Sequence, residues 1–468
     1  MVKNDYTVRI ERVALRNFKN IQNGAVFYSE YKRLERKDAD DANYSNILGI
    51  YGQNASGKTS IIDALSIIRH FISGGGTTIG LRNYIKKGFD SFGISVSFLL
   101  TNSEKTMLVD YSIDIKSSET TLYVDSETMQ CSEADNCIKK LGERKTVYSY
   151  SKTGKIKDSV LSLVEGKEQK TILNYLASQK TSTSAATPAV FLCSSLFNNE
   201  SLKIIENEKK MSILSSIVDS LSFFAKNKFF IVTTNLFDGI NTQGIGINGF
   251  AFNENQERTH RNFAILFGRQ TLEINEYESF LKVLDASGKV LNTLIPGLSI
   301  KPHIYNETFN ASGQKAIEFE VMSVRDGKEI PFYFESRGVK QMLTYVGDLI
   351  AVFNEDGTFI AIDELDSGVF EYLLGELIYS FDNFALGQLL FTSHNFRILE
   401  KIRPHEIFFT TANDANKFVQ PKYIKSNNNL RDVYYRLIVQ GDDKEVYYSK
   451  TSATEISKTL SSLAGGKK

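Results

Sequence analysis

The chain has 468 residues, 42% apolar and 24% charged, so it can bury a full core and by length divides into roughly two to four domains. Lys+Arg and Asp+Glu are both 55, so no net field draws the chain as a whole to nucleic acid. Cys131, Cys137 and Cys193 fit neither a disulfide framework nor a zinc site, which points to a reducing cytoplasm; the charged start from Lys3 to Arg16 is no signal peptide, and no apolar run reaches the roughly 18 residues of a membrane span.

Residues 7–28 alternate at Val8, Ile10, Val13 and Leu15 and predict a strand pair, with Asn23-Gly24 as a turn signal. Ser29 to Ser45 is polar and charged and reads as a solvated hairpin or loop. The stretch from Asn46 to Phe71 then organises the chain. Gly52, Gly57, Lys58 and Thr59 have the spacing G-x-x-x-x-G-K-[ST] of a phosphate-binding loop. Ile47, Leu48, Ile50 and Tyr51 before it predict a buried parallel strand. Ile61, Ala64, Leu65, Ile68 and Phe71 after it recur at helical spacing, and Gly74-Gly75-Gly76 ends that helix. Glycines are needed where backbone N–H groups wrap phosphate oxygens, and the helix N-terminus adds partial positive charge. The loop residues Asn54, Ser56 and Ser60 belong to this nucleotide-binding set. Lys58 is assigned to the β- and γ-phosphates of a nucleotide and the Thr59 hydroxyl to Mg²⁺.

Residues 91–116 carry two strand runs separated by Thr101-Asn102-Ser103. From 117 to 227 short strands mix with Lys/Ser/Thr-rich stretches, and 201–227 reads as helix. Residues 228–330 mix strands at 229–234 and 316–322 with helices near 259–268 and 276–292, interrupted by Pro296 and Pro302. Without sustained heptads, 117–330 is expected to be an inserted α+β region, a partner or sensor domain, between two halves of one core at 1–116 and 331–468.

The third segment is regular. A helix from Ser336 puts Val339, Met342, Leu343, Val346, Leu349, Ile350 and Phe353 on one face. Thr358–Ile362 is a buried strand ending at Asp363-Glu364. A helix runs to about Tyr379, and Gln388–Thr392 is a strand ending at Ser393-His394. Alternating helices and strands predict a doubly wound α/β core. Downstream of a phosphate-binding loop, Asp363 reads as the residue of the Mg²⁺ shell and Glu364 as the general base for water.

With these motifs in order, the chain resembles the ATP-binding-cassette ATPases, in particular the SMC/OLD-like branch (AAA_15/AAA_21 type) of chromosome-maintenance, DNA-repair and OLD-like proteins. ALRNFKN is similar to that branch's opening motif, which implies Lys19 near the phosphates with Asn17 beside it. ESRGVKQML resembles the signature S-x-G-x-[KRQ] and brings in Ser336, Gly338 and Lys340. FTSHN resembles the switch-histidine strand and brings in His394. Leu365-Asp366-Ser367-Gly368 stands where a Pro-rich turn or His-containing tail is usual, and Asp366 is the candidate D-loop acid. The family's Q-loop glutamine has no counterpart that the sequence singles out.

The resemblance implies a fold: an ABC-type P-loop head with a mixed sheet and an antiparallel N-terminal subdomain. It also implies a homodimer or higher oligomer in which Ser336 and Gly338 act in trans on ATP held by a neighbour. The layout further resembles stand-alone ATPases of bacterial abortive-infection and anti-phage operons. Those work with a separate effector, sometimes a nuclease of RloB or TOPRIM-like type, with a phage component as trigger. Only 74 residues follow His394 (468 minus 394), too few for a TOPRIM nuclease, although IVQGDDKE near Val439 has a trace of its opening. Two other roles stay open: a repair-type ATPase that binds DNA directly, and a scaffold that binds ATP without turning it over.

Overall fold

The computed structural model describes residues 6–28, 45–118, 121–135, 140–151, 209–233, 244–252, 258–309, 312–420, 429–440, 445–448 and 452–463. The solvated loop read at 29–44 lies outside these residues, as do 152–208 with most of the Lys/Ser/Thr-rich stretches and the first part of the helix read at 201–227.

The chain opens with β1 (Thr7–Phe18) and β2 (Ile21–Phe27), an antiparallel pair. Val8 and Ile10 face inward, and so do Val13 and Leu15. The change of parity is made by a β-bulge between Ile10 and Arg12. The turn is Lys19-Asn20, because Phe18 pairs with Ile21 and Lys19 has φ of 52°. Asn23-Gly24, expected as the turn, lies inside β2 opposite Arg16 and Leu15. Its glycine is needed for packing: a Cβ there would stand 2.8 Å from the Phe418 ring.

β3 (Ile47–Tyr51) leads through the glycine-rich loop into α1 (Lys58–Ile72). β4 (Ser91–Thr101), β5 (Thr106–Ser117), β6 (Leu122–Asp135), β7 (Lys140–Leu141) and β8 (Lys145–Ser151) extend the first pair. The result is an antiparallel sheet in the order β2-β1-β4-β5-β6-β7, with β8 also on β6. α2 (Lys209–Asn227) and β9 (Phe229–Val232) follow.

β10 (Gly244–Phe252) and β11 (Arg258–Leu266) form a hairpin. The helix expected near 259–268 is therefore strand, and its apolar residues serve cross-strand pairing. β12 (Gln270–Glu273), α3 (Ile274–Leu294), β13 (Ser299–Phe309), β14 (Lys315–Arg325) and β15 (Lys328–Pro331) make a second unit, its sheet centred on β14. Pro302 lies within β13, a strand that pairs with β14.

α4 (Arg337–Asn354), β16 (Phe359–Ile362), α5 (Glu371–Phe384), β17 (Gln388–Ser393), β18 (Ile407–Thr410) and β19 (Phe418–Val419) complete the core. α6 (Leu430–Gln440) and α7 (Ala453–Leu463) follow, so Ile438 to Gln440, compared above with a TOPRIM opening, close a helix. The central sheet runs β19-β18-β3-β17-β16-β9, parallel from β18 to β9. Both faces of this sheet are covered, so β3, β16 and β17 are buried throughout. Leu48, Ile50, Phe359 and Ala361 join α1, α2 and the antiparallel sheet in one core. Ile47, Tyr51, Ile360 and Ile362 join α3, α4 and α5 in the other.

The fold is thus the expected doubly wound mixed sheet with an antiparallel N-terminal subdomain and an α+β insertion. The expected boundaries at 117 and 330 do not follow its sheets. β6 and β8 belong to the N-terminal sheet, and β9 is an edge of the central sheet, because Phe229 to Val232 pair with Phe359 to Ile362. Among the described residues no helix is long and apolar enough to cross a membrane.

Candidate active site

The site is built where β3, β17 and β16 end side by side. β17 lies between the other two, so the end of β17 faces the glycine-rich loop on one side and Asp363-Glu364 on the other.

The loop is set by backbone requirements. Gly57 caps α1 with φ of 105°, and Ala55 also has a left-handed φ of 61°. A Cβ on Gly52 would lie 1.6 Å from Thr410 Oγ1, so only glycine fits against β18. Asn54 is at the exposed tip, while Ser60 is buried and its N–H donates to the Gly57 carbonyl at 3.1 Å. Ser56 Oγ accepts from Thr410 Oγ1 at 2.7 Å.

Lys58 is buried and its ammonium donates to the carbonyls of Gly52 at 2.9 Å and Gln53 at 3.1 Å. Burial pulls its pKa down to about 8 against the charges of Asp363, Glu364 and Asp366. A buried ammonium inside a loop of this shape suits a triphosphate, which would restore the lost charge stabilisation.

Thr59 Oγ1 donates to Asp363 Oδ1 at 3.2 Å. A hydroxyl and a carboxylate sharing one position are the donor types of a Mg²⁺ shell completed by phosphate oxygens and water. Among the described residues no group of three or more His, Cys, Asp or Glu is placed to hold a metal, so such an ion would depend on substrate oxygens. When bound, Mg²⁺ would neutralise charge on the β- and γ-phosphates.

Thr392 Oγ1 donates to Asp363 Oδ1 at 2.6 Å and accepts the Glu364 N–H at 2.8 Å. Glu364 itself is exposed, with a left-handed φ of 52°. Partial burial, then the charges of Asp363 and Asp366, raise its pKa; Lys58 and Arg337 oppose them. That direction suits a base that must take a proton from water. The His394 N–H donates to Asp366 Oδ2 at 3.0 Å. Burial and the Lys58 charge hold the imidazole below its usual pKa, which favours the neutral ring with one donor and one acceptor nitrogen.

The structure therefore brings Lys58, Thr59, Asp363, Glu364, Asp366 and His394 together. It treats Lys19 differently. The Lys19 ammonium is held by Asp63, one turn along α1 from Thr59, and stacks over the Tyr84 ring at 4.9 Å. Burial raises the Asp63 pKa against this lysine. Asn17, also left-handed with φ of 52°, accepts the Lys86 N–H at its carbonyl.

Ser336 caps α4, its hydroxyl accepting from Val339 N at 3.3 Å, and is exposed. Lys340 donates to the Tyr333 carbonyl and stacks over Phe267 and Tyr333, away from the loop. Gly338 packs on the turn that follows Glu364: a Cβ there would stand 2.0 Å from the Gly368 carbonyl oxygen.

Four residues at the site were not read from the sequence. Thr392 ties the end of β17 to the end of β16 as described. Asn20 Nδ2 donates to the Ala55 carbonyl at 3.0 Å. Thr410 buttresses Gly52 and Ser56, and buried Lys417 stands against Gly57. Thr392 had a sequence signal as the neighbour of Ser393-His394, and Asn20 as the last residue of ALRNFKN; Thr410 and Lys417 come from segments distant in sequence.

Comparison with solved structures finds similarity to an SMC head domain from Pyrococcus furiosus bound to the C-terminal domain of ScpA. Identity is 12%, covering 92% of this chain and 98% of that chain, with a TM-score of 0.38. The SMC head domain from Thermotoga maritima is 13% identical over 88% of this chain and 99% of that one, with a TM-score of 0.37. The recombination mediator RecF with ATP is 12% identical over 89% and 100%, with a TM-score of 0.35. No curated protein sequence matches. A match to AAA_21, described as "AAA domain, putative AbiEii toxin, Type IV TA system", spans residues 47–400, from the first residue of β3 to beyond β17. That span takes in the glycine-rich loop, the Asp363-Glu364 turn and His394, covers well over half of the chain, and makes the protein a member of the AAA_21 family.

Proposed function

We propose that the protein is an ATPase of ABC type that hydrolyses ATP to ADP and phosphate. Lys58 and the loop N–H groups hold the triphosphate. Glu364 takes a proton from a water whose oxygen attacks the γ-phosphorus, and the bond to the ADP oxygen breaks. His394 positions that water or the γ-phosphate. The observation that carries this reading is the single oxygen Asp363 Oδ1, on which the hydroxyls of Thr59 and Thr392 both converge beside Glu364.

Ser336 is exposed at the N-terminus of α4, with Gly338 buried in the first turn behind it, and this helix end suits ATP held by a second copy. Two chains would then sandwich two ATP molecules, and loss of the γ-phosphate would loosen the pair. The family's description as a toxin–antitoxin protein supports a defence role. In it, ATP-dependent dimerisation acts as sensor and regulator of a separate effector, a nuclease of RloB or TOPRIM-like type, with a phage component as trigger.

Phosphate release and sizing in ATP test this together. Glu364→Gln is expected to stop release and accumulate an ATP-bound dimer, and Lys58→Ala to prevent both binding and dimer. Release by Glu364→Gln at the wild-type rate refutes the base assignment. Identical elution of the two variants refutes the sandwich.

A further inference from the structure

The turn between Glu364 and Gly368 is under local stress. Glu364 takes a left-handed φ of 52° without being glycine, and Gly368 ends the turn at 73°. Gly368 is pressed on α4, since a Cβ built on it would meet Gly338 Cα at 2.8 Å and Gln341 Oε1 at 3.5 Å. Gln341 is 2% exposed, and neither its Oε1 nor its Nε2 has a hydrogen-bond partner. In the turn itself, Asp366 Oδ1 is buried and likewise unbonded, while Oδ2 accepts from His394 N. Buried amides without partners are uncommon because each forgoes its hydration for nothing. Here a donor on α4 and an acceptor on the turn are both left over, on two segments that touch at Gly338, Gln341 and Gly368.

We propose that Gln341 is a positioning residue for hydrolysis: it is unbonded in this arrangement and donates through Nε2 to Asp366 Oδ1 once nucleotide is bound. The bond pins the Asp366 side chain to α4, on which the turn already rests at Gly368. Because Asp366 also holds His394, and Glu364 begins the same turn, the bond fixes the base and the histidine together. Gln341 touches no reacting atom and acts only through Asp366. The inference rests on the ATPase reading given above.

The consequence is opposite in sign to that of an ordinary core residue. Gln341→Met keeps the side chain's length and removes the unbonded amide. Without nucleotide it is expected to raise Tm by about 1–3 °C. With ATP and Mg²⁺ it is expected to lower kcat about tenfold, the worth of one hydrogen bond, with KM for ATP within about twofold of wild type. Hydrogen exchange of 364–370 in wild type is expected to slow on adding ATPγS, and not to slow in Gln341→Met. A lower Tm for Gln341→Met, and equally for Gln341→Leu, overturns the proposal, since the amide is then satisfied without nucleotide. Unchanged kcat with Glu364→Gln inactive also overturns it and leaves the ATPase reading standing. An active Glu364→Gln fails that reading instead, whatever Gln341 does.

Discussion

Thr392 Oγ1 donates to Asp363 Oδ1 at 2.6 Å across the parallel ladder of β17 and β16. The same hydroxyl accepts the Glu364 N–H, so one side chain orients Asp363, proposed for the Mg²⁺ shell, and the backbone of Glu364, the proposed base. Thr392→Val removes only the hydroxyl at almost constant volume. It leaves Glu364 N–H without its acceptor, a cost of about 1–3 kcal/mol. Steady-state phosphate release is expected to fall about 10–100-fold with the fold retained by circular dichroism. A wild-type rate would show that this bond does not position the site.

The loop is braced from outside by Asn20. Its amide holds the Ala55 carbonyl, and its own carbonyl accepts from Lys86, which pairs with Asp414 and through it with Lys417. Asn20→Ala is expected to weaken ATP binding about five- to tenfold, the worth of one bond to a strained loop. At saturating ATP, kcat is expected to stay close to wild type. Calorimetric titration against a turnover assay separates the two; a fall in kcat alone contradicts a purely loop-bracing role.

Gly338 meets backbone, which cannot swing aside. Gly338→Ala places a methyl 2.0 Å from the Gly368 carbonyl oxygen. The strain is expected to cost about 1–3 kcal/mol and to disable the turn. Gly80→Ala, whose new methyl has only Thr78 Oγ1 at 3.8 Å, is the control and should be near neutral. Thermal unfolding of both variants is the measurement.

Glu406 is fully buried between Arg403 and Ser45. Burial raises its pKa from 4.5 to about 7, with the bonds from Arg403 opposing and the Asp382 charge adding to the rise. The folded protein therefore holds this proton more tightly than the unfolded chain. Its stabilising contribution is full below pH 4.5 and is lost as pH rises through about 7. Glu406→Gln cannot titrate, so its Tm relative to wild type should rise between pH 5 and pH 8. A relative Tm that falls over that range would mean the carboxylate is stabilised as an anion.

The sequence carried the parts of the site that are local. Gly52 to Thr59 lies at a strand-to-helix turn, and Asp363, Glu364 and His394 each end a buried strand, so pattern and position agree. It could not carry what depends on strand order. Thr392 matters because β17 lies between β3 and β16, which no spacing announces. Thr410 reaches Ser56 across 354 positions. Local signals also misled where packing overrode them. Asn23-Gly24 has the composition of a turn, yet the chain turns at Lys19-Asn20 and uses Gly24 to admit Phe418. Residues 259–268 had helical spacing, but β10 supplies an antiparallel partner along Arg258 to Leu266.

α4 is gripped at two glycines. At Gly338 it bears on the catalytic turn, and at Gly347 it bears on β10, where a Cβ would lie 1.5 Å from the Asn248 carbonyl oxygen. Asn248 also bonds Asp348 at 2.9 Å. The two grips are nine residues apart, about 14 Å of stiff helix. A rod clamped so closely at both ends has no slack to absorb a displacement. A displacement of β10 is therefore expected to reach, through α4, the turn that carries Glu364.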